Sequence, residues 1–140
     1  MTHFHSFARR SLLLLAVLAA VGCATVVKAP DDRAQVMAVM QQWKQSLLTN
    51  DVAQVMALFS ENVTSEFGDR TVIQEIMTEL GQRMVDEDGR IDIENADLVV
   101  AGDRASVKPI SIGTRKGAVC RTVVLAKENG RWLIVELGRK

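Results

Sequence analysis

From Arg90 onward the chain has room for little except antiparallel strands. Four runs rich in β-branched residues, Arg90–Val100, Arg104–Ile112, Ala118–Lys127 and Arg131–Leu137, follow one another across gaps of a few residues. A parallel pair needs a crossover of about a dozen residues or more, so gaps this short permit only hairpins. The separators are Gly102-Asp103, Thr114-Arg115-Lys116-Gly117 and Asn129-Gly130. Asn-Gly is the strongest of them, because both central residues of a type I′ turn need φ > 0. If Asn129 and Gly130 form the turn, Glu128 pairs with Arg131 and the register follows. One face then carries Cys120, Thr122, Val124 and Ala126 with Leu133, Val135 and Leu137, and reads as the core face. The other carries Arg121, Val123, Leu125 and Lys127 with Trp132, Ile134 and Glu136, a mixed set. The same arithmetic at Gly102-Asp103 sets Leu98 beside Val107 and Asp97 beside Lys108.

Upstream the hydrophobic period changes to that of helices. Between Asp31 and Thr49, Val36, Met40, Trp43 and Leu47 form one apolar stripe, behind a helix start that Asp31 and Asp32 suit electrostatically. Asn50 reads as a break and a new N-cap, and a short second helix puts Val52, Val55, Met56 and Phe59 on one face. Val63–Phe67 is expected as a brief strand closed by Gly68-Asp69. A third helix, from Thr71 to Val85, aligns Ile73, Ile76, Met77, Leu80 and Met84, with Thr71 and Gln74 at capping-box spacing. Gly81 weakens its last turn.

Helix, helix, short strand, helix, then a four-strand meander ending in Gly130-Arg131-Trp132-Leu133-Ile134 resembles the NTF2-like (SnoaL-like, cystatin-like cone) superfamily. The resemblance spans Asp31 to Leu137. It implies an α+β fold in which three N-terminal helices pack on a curved antiparallel sheet. The superfamily hosts isomerases, dehydratases, cyclases and hydrolases beside many non-catalytic binders, so the fold leaves function open.

Composition narrows the chemistry. The only two histidines, His3 and His5, precede the domain, and there is no tyrosine. Without imidazole, Ser-His-Asp and Cys-His catalysis and His metal sites are excluded from the domain. The enzymes of the superfamily commonly pair an Asp base with Tyr or His, so a carboxylate would have to act without either. Glu136, set among Trp132, Leu133, Ile134, Val135 and Leu137, and Asp97, beside Lys108, are the candidate bases. Each has a structural alternative as an ion pair, Glu136 with the diagonal Arg121 and Asp97 with Lys108. The acids Asp86, Glu87 and Asp88 match no calcium-loop spacing, and no metal or cofactor is implied.

Binding is the broader expectation. Trp43, Met56, Phe59, Phe67 and Met77 stand where helices would close over the sheet, either as a pocket for a small apolar ligand or as core filler. Arg121, Trp132 and Ile134 mark the mixed face as a candidate partner surface, including a homodimer through the sheet, as the superfamily resemblance allows. Cys120 reads as a buried thiol. Charge divides along the chain. Residues Asp31 to Asp103 carry 15 acids and 5 bases, net −10, and Arg104 to Lys140 carry 2 acids and 9 bases, net +7. Acidic helices balancing a basic sheet within one domain accounts for this, and an anionic surface against the strands is the alternative. A chain of near-neutral total charge without a basic-aromatic interleave is a poor nucleic-acid binder.

The amino terminus predicts location. Arg9 and Arg10 precede an apolar run from Leu12 to Val21, about half the ~20 residues that span a bilayer. Ala20-Val21-Gly22-Cys23 resembles the bacterial lipobox, which implies a signal peptide over residues 1–22 and lipidation of Cys23. Residues 23–30 are then a tether and 31–140 the domain. By the same resemblance, Ala24 points to the outer membrane, facing the periplasm. Ala20-x-Gly22 also suits ordinary signal peptidase, leaving Cys23 and Cys120 free to pair in a secreted protein. Arg9-Arg10-Ser11-Leu12-Leu13 in addition resembles a twin-arginine export motif. Taken together, the sequence reads as a lipid-anchored cell-envelope domain that binds an apolar ligand or a protein. A small isomerase- or hydrolase-type enzyme and a structural docking subunit are the rivals.

Overall fold

The computed structural model describes residues 31–139; the leader, Cys23 and the tether lie outside the described residues. Helix α1 spans Asp32–Leu48, capped by Asp31, whose carboxylate accepts from the Ala34 N–H at 2.7 Å. Its stripe of Val36, Met40, Trp43 and Leu47 is wholly buried. Asn50 does not cap the next helix as expected. It takes the left-handed turn at φ 55°, which its short polar side chain tolerates, and Asp51 caps instead by accepting from Gln54 N–H. Helix α2 is Val52–Ala57.

Strand β1, Phe59–Ser65, begins four residues earlier than the sequence suggests and takes Phe59 out of the helix. Its partner is the reason: Leu58 O accepts the Ile134 N–H at 2.8 Å, and Phe59 pairs in parallel with Ile134. A tight turn follows, in which Ser65 Oγ accepts from Phe67 and Gly68 N–H and donates to Gly68 O. Helix α3, Arg70–Asp86, is capped by Asp69 rather than by a Thr71–Gln74 box, since the Asp69 carboxylate already takes the N–H groups of Thr71 and Val72. Gly81 does more than weaken this helix. A Cβ there would come within 2.5 Å of Asn50 Oδ1, so any larger residue at this point requires the Asn50 side chain in the α1–α2 turn to shift.

The expected strand Arg90–Val100 is broken into β2, Arg90–Asp92, and β3, Asp97–Ala101. Both pair with β4, Arg104–Thr114, and the break falls opposite Pro109, which has no N–H to give a neighbour. The Asp92 carboxylate accepts from the Asn95 backbone and side chain, stabilising the turn that replaces the ladder. Strands β5, Gly117–Glu128, and β6, Arg131–Arg139, complete a six-stranded sheet of order β1-β6-β5-β4-β2, with β3 also on β4. The sheet is therefore mixed rather than purely antiparallel, because β1 joins β6 in parallel. The pairs Leu98–Val107, Asp97–Lys108 and Glu128–Arg131 occur as expected, and Asn129 and Gly130 have φ of 49° and 76°.

The two faces of the sheet are the reverse of the sequence expectation. Val123, Leu125, Trp132 and Ile134 are the buried ones, packed on the helices. A one-residue irregularity in β6 then shifts the register from Leu125–Ile134 to Val124–Glu136. It turns Leu137 inward and leaves Glu136 exposed on the outer face. Size explains the inversion: Trp132, Ile134 and Leu125 bury more apolar area than Ala126, Thr122 and Val124. The charges that made the inner face look mixed lie at its two ends. Lys127 bridges to Asp32 at 2.6 Å at one end, and Arg121 lies at the other.

Candidate functional site

At the Arg121 end the helices and sheet do not close on each other. A cavity of about 340 Å³ remains between α3, the β4–β5 hairpin, Phe67 and the floor of the core. Helix α3 explains its shape by carrying two parallel apolar lines. Ile73, Met77 and Met84 are buried, whereas Ile76 and Leu80 are only half-buried and continue to Arg83 along the cavity wall. Across from them stand Ile112 and Thr114 of β4, Gly117, Val119 and Arg121 of β5, and Leu137 of β6. The floor is Trp43. Its exposed members, Glu79, Gly117 and Val119, mark the mouth, and Val119 is 46% exposed.

The polar groups in this wall are few. Arg121 is half-buried; it donates to Cys120 O at 2.9 Å, and its guanidinium lies 5.4 Å from the centre of the Phe67 ring. Arg83 Nε lies 3.8 Å from Glu87 Oε1, which stands equally far from Lys116 Nζ. Trp43 is fully buried, and its indole N–H has no acceptor among the described residues. A buried donor without an acceptor is uncommon enough to need a reason.

Of the residues the sequence proposed for a pocket, Trp43, Phe67 and Met77 line this one, whereas Met56 and Phe59 are core residues outside it. Trp132 and Ile134 cannot belong to an outward partner face, being 4% and 0% exposed on the inner side. Arg121 belongs to the cavity wall. The expected Arg121–Glu136 diagonal does not form, because the β6 irregularity sends Glu136 to the outer face beside Val124. Asp97 is exposed opposite Lys108, and neither candidate base lines the cavity. Cys120 is half-buried rather than a core residue and has no disulfide partner among the described residues. Arg83, Leu80, Ile112 and Val119 were missed; the offset Ile76-Leu80-Arg83 line was the available signal.

The carboxyls held below their ordinary range serve as structural ties away from the cavity. Lys127, then Trp132, lowers Asp32 by hydrogen bonding to it, and Asn95 does the same for Asp92. Glu94 is lowered to about 2, chiefly by its hydrogen bond from Lys44 at 2.7 Å. Among the described residues no cluster of three or more His, Cys, Asp or Glu could hold a metal, and no helix is long and apolar enough to cross a membrane.

Three helices on a curved mixed sheet, open at one end, define an α+β fold of the NTF2-like cone type. The chain is similar to an NTF2-like protein of unknown function from Pseudomonas putida KT2440, with TM-score 0.63 and 13% identity over 76% of this chain and 83% of that one. A cystatin-like-fold protein of unknown function from Nostoc punctiforme gives TM-score 0.59 and 18% identity, over 76% of this chain and 88% of that one. A putative calcium/calmodulin-dependent protein kinase II association domain from Xanthomonas campestris gives 0.60 and 16%, over 79% and 89%. At such identities the likeness is one of fold. No protein-family model and no curated protein matches the chain.

Proposed function

We propose that this domain is a non-catalytic binder of a small apolar ligand, held at the bacterial cell envelope by lipid on Cys23. The observation that carries the binding reading is the cavity itself: about 340 Å³, walled by Ile76, Met77, Leu80, Ile112 and Leu137. Its size and apolar walls fall in the ordinary range of ligand pockets. The two candidate bases, Glu136 and Asp97, lie elsewhere, and the one carboxylate of the lining, Glu79, stands exposed at the mouth rather than inside. The anchoring reading rests on the leader and on Ala20-Val21-Gly22-Cys23. With the lipid inserted, the seven residues 24–30 that follow Cys23 reach at most about 25 Å. The start of α1 is fastened to Lys127 and Trp132, whereas the cavity opens where β5 begins. Strand β5 is 12 residues long, so the mouth lies toward the opposite end of that strand from the start of α1.

The test is titration with N-phenyl-1-naphthylamine, a neutral apolar fluorophore. Saturable binding is expected in the wild type and should weaken in Leu80→Trp, whose larger ring intrudes on the cavity. Absence of saturable binding overturns the reading. Separately, Cys23→Ser is expected to move the protein from the membrane fraction to the soluble one.

One observation favours docking as a second role. The outer sheet face carries Val99, 55% exposed, and, two strands away, the half-buried Val124, Leu133 and Val135, which belong to the strip the sequence reads as core. We propose a second copy of this chain as its partner. Val124→Lys should convert a dimer to a monomer in analytical ultracentrifugation, and a monomeric wild type would refute it.

A further inference from the structure

We infer that the ligand of the cavity carries a carboxylate, held by Arg121. This deepens the reading of the cavity as a ligand site and rests on it. The argument comes from the opposite end of the same strand. β5 sends two cations to the inner side of the sheet, and each lies against an aromatic ring. Lys127 Nζ is 5.3 Å from the centre of the Trp132 ring, and Arg121 Cζ is 5.4 Å from that of Phe67. At the Lys127 end a carboxylate completes the set. Asp32 Oδ1 accepts from Lys127 Nζ at 2.6 Å and from Trp132 Nε1 at 3.2 Å.

At the Arg121 end the same parts recur around the cavity. There is a cation on a ring, and there is an indole N–H, that of Trp43, which is buried without an acceptor among the described residues. Among those residues no carboxylate stands within 4.0 Å of Arg121, whose one hydrogen bond goes to Cys120 O. No described residue supplies the fourth part. Of the other charged groups in the lining, Arg83 stands 3.8 Å from Glu87 and Glu79 is exposed at the mouth, so Arg121 is the cation of the wall with no described carboxylate beside it. That matches a monoanion. The planar guanidinium fork fits a carboxylate by two parallel hydrogen bonds.

The remaining wall sets the rest of the ligand. Ile76, Leu80, Ile112 and Leu137 are apolar and suit a hydrocarbon tail. About 340 Å³, at roughly 30 Å³ per water-sized unit, holds about eleven non-hydrogen atoms. The class is therefore a medium-chain carboxylic acid or an apolar acid of similar bulk.

Isothermal titration of the full chain with decanoate and with decan-1-ol, both below micelle-forming concentrations, tests this. Decanoate is expected to bind about tenfold more tightly than the alcohol, the usual margin for a hydrogen-bonded charged group. Arg121→Gln should erase that margin by weakening decanoate far more than the alcohol, and retained alcohol binding shows that the variant is folded. Arg121→Lys, which keeps the charge and loses the fork, should fall between them. Equal affinity of acid and alcohol in the wild type overturns the carboxylate and leaves the apolar cavity standing. If neither binds, both readings fall. The wild-type ratio decides the matter should Arg121→Gln fail to fold.

Discussion

The inner face of the sheet is closed at one end by the first turn of α1 and left open at the other by α3. At the closed end, Trp132 and Ile134 are buried, and Asp32 occupies both Lys127 and the Trp132 N–H. At the open end, Ile76, Leu80 and Arg121 are half-buried around a space no side chain fills. The difference separates what holds the fold together from what is available to a ligand. A side chain packed on all sides resists removal, whereas one facing open space has already given up part of its contacts.

Truncation should expose this contrast most strongly. Ile134→Ala at the closed end is expected to cost about 3 kcal/mol, through lost burial and an unfilled cavity. Leu80→Ala at the open end should cost less than about 1 kcal/mol, because it enlarges a space already there. Urea unfolding of the two variants measures both. Equal costs would mean that the cavity wall belongs to the core and that the two ends do not differ.

The tryptophans give a finer comparison at smaller scale. Trp132→Phe loses ring volume and the hydrogen bond to Asp32; Trp43→Phe loses similar volume and a donor that has no described acceptor. Trp132→Phe should therefore be the more destabilising by about 1 kcal/mol. A larger loss for Trp43→Phe would show that its N–H is engaged in the unliganded protein, and would weaken the parallel between the two ends.

This asymmetry was only partly legible in the sequence. Hairpin register was readable because Asn129-Gly130 and Gly102-Asp103 leave few alternatives, and the α1 stripe was readable from its period. The facing of β5 and β6 was not. Polar residues at the ends of the inner strip made it look mixed, and alternation cannot say that Lys127 meets a carboxylate contributed by the far end of the chain, at Asp32. Nor does a two-residue period announce the irregularity that moves Glu136 out and Leu137 in. The break at Pro109 could have been suspected, since proline removes a ladder donor. For the site, Trp43, Phe67 and Met77 were readable as apolar residues near the helix–sheet junction. Arg83 and Arg121 were not, because a charged residue joins a cavity only when the surrounding elements are in place.

The smallest expected effect tests the closed end by acid. The hydrogen bonds from Lys127 and Trp132 hold the Asp32 carboxyl below its ordinary 3.8, so the tie stabilises the fold above that pH. It is lost as pH falls through the lowered value and Asp32 takes up its proton. Asp32→Asn should thus lower the melting temperature at pH 7, and the gap from wild type should close on acidification. The gap should be modest, since the Asp32 side chain is 38% exposed and such pairs are screened by solvent. Glu94 confounds a simple acid melt of the wild type, because its tie to Lys44 is likewise present above its ordinary 4.5 and lost as pH falls through about 2. Measuring Asp32→Asn in a Glu94→Gln background removes that contribution. A gap that persists unchanged once Asp32 has taken up its proton would mean that Asp32 acts through shape alone, and that the carboxylate is not what completes the closed end.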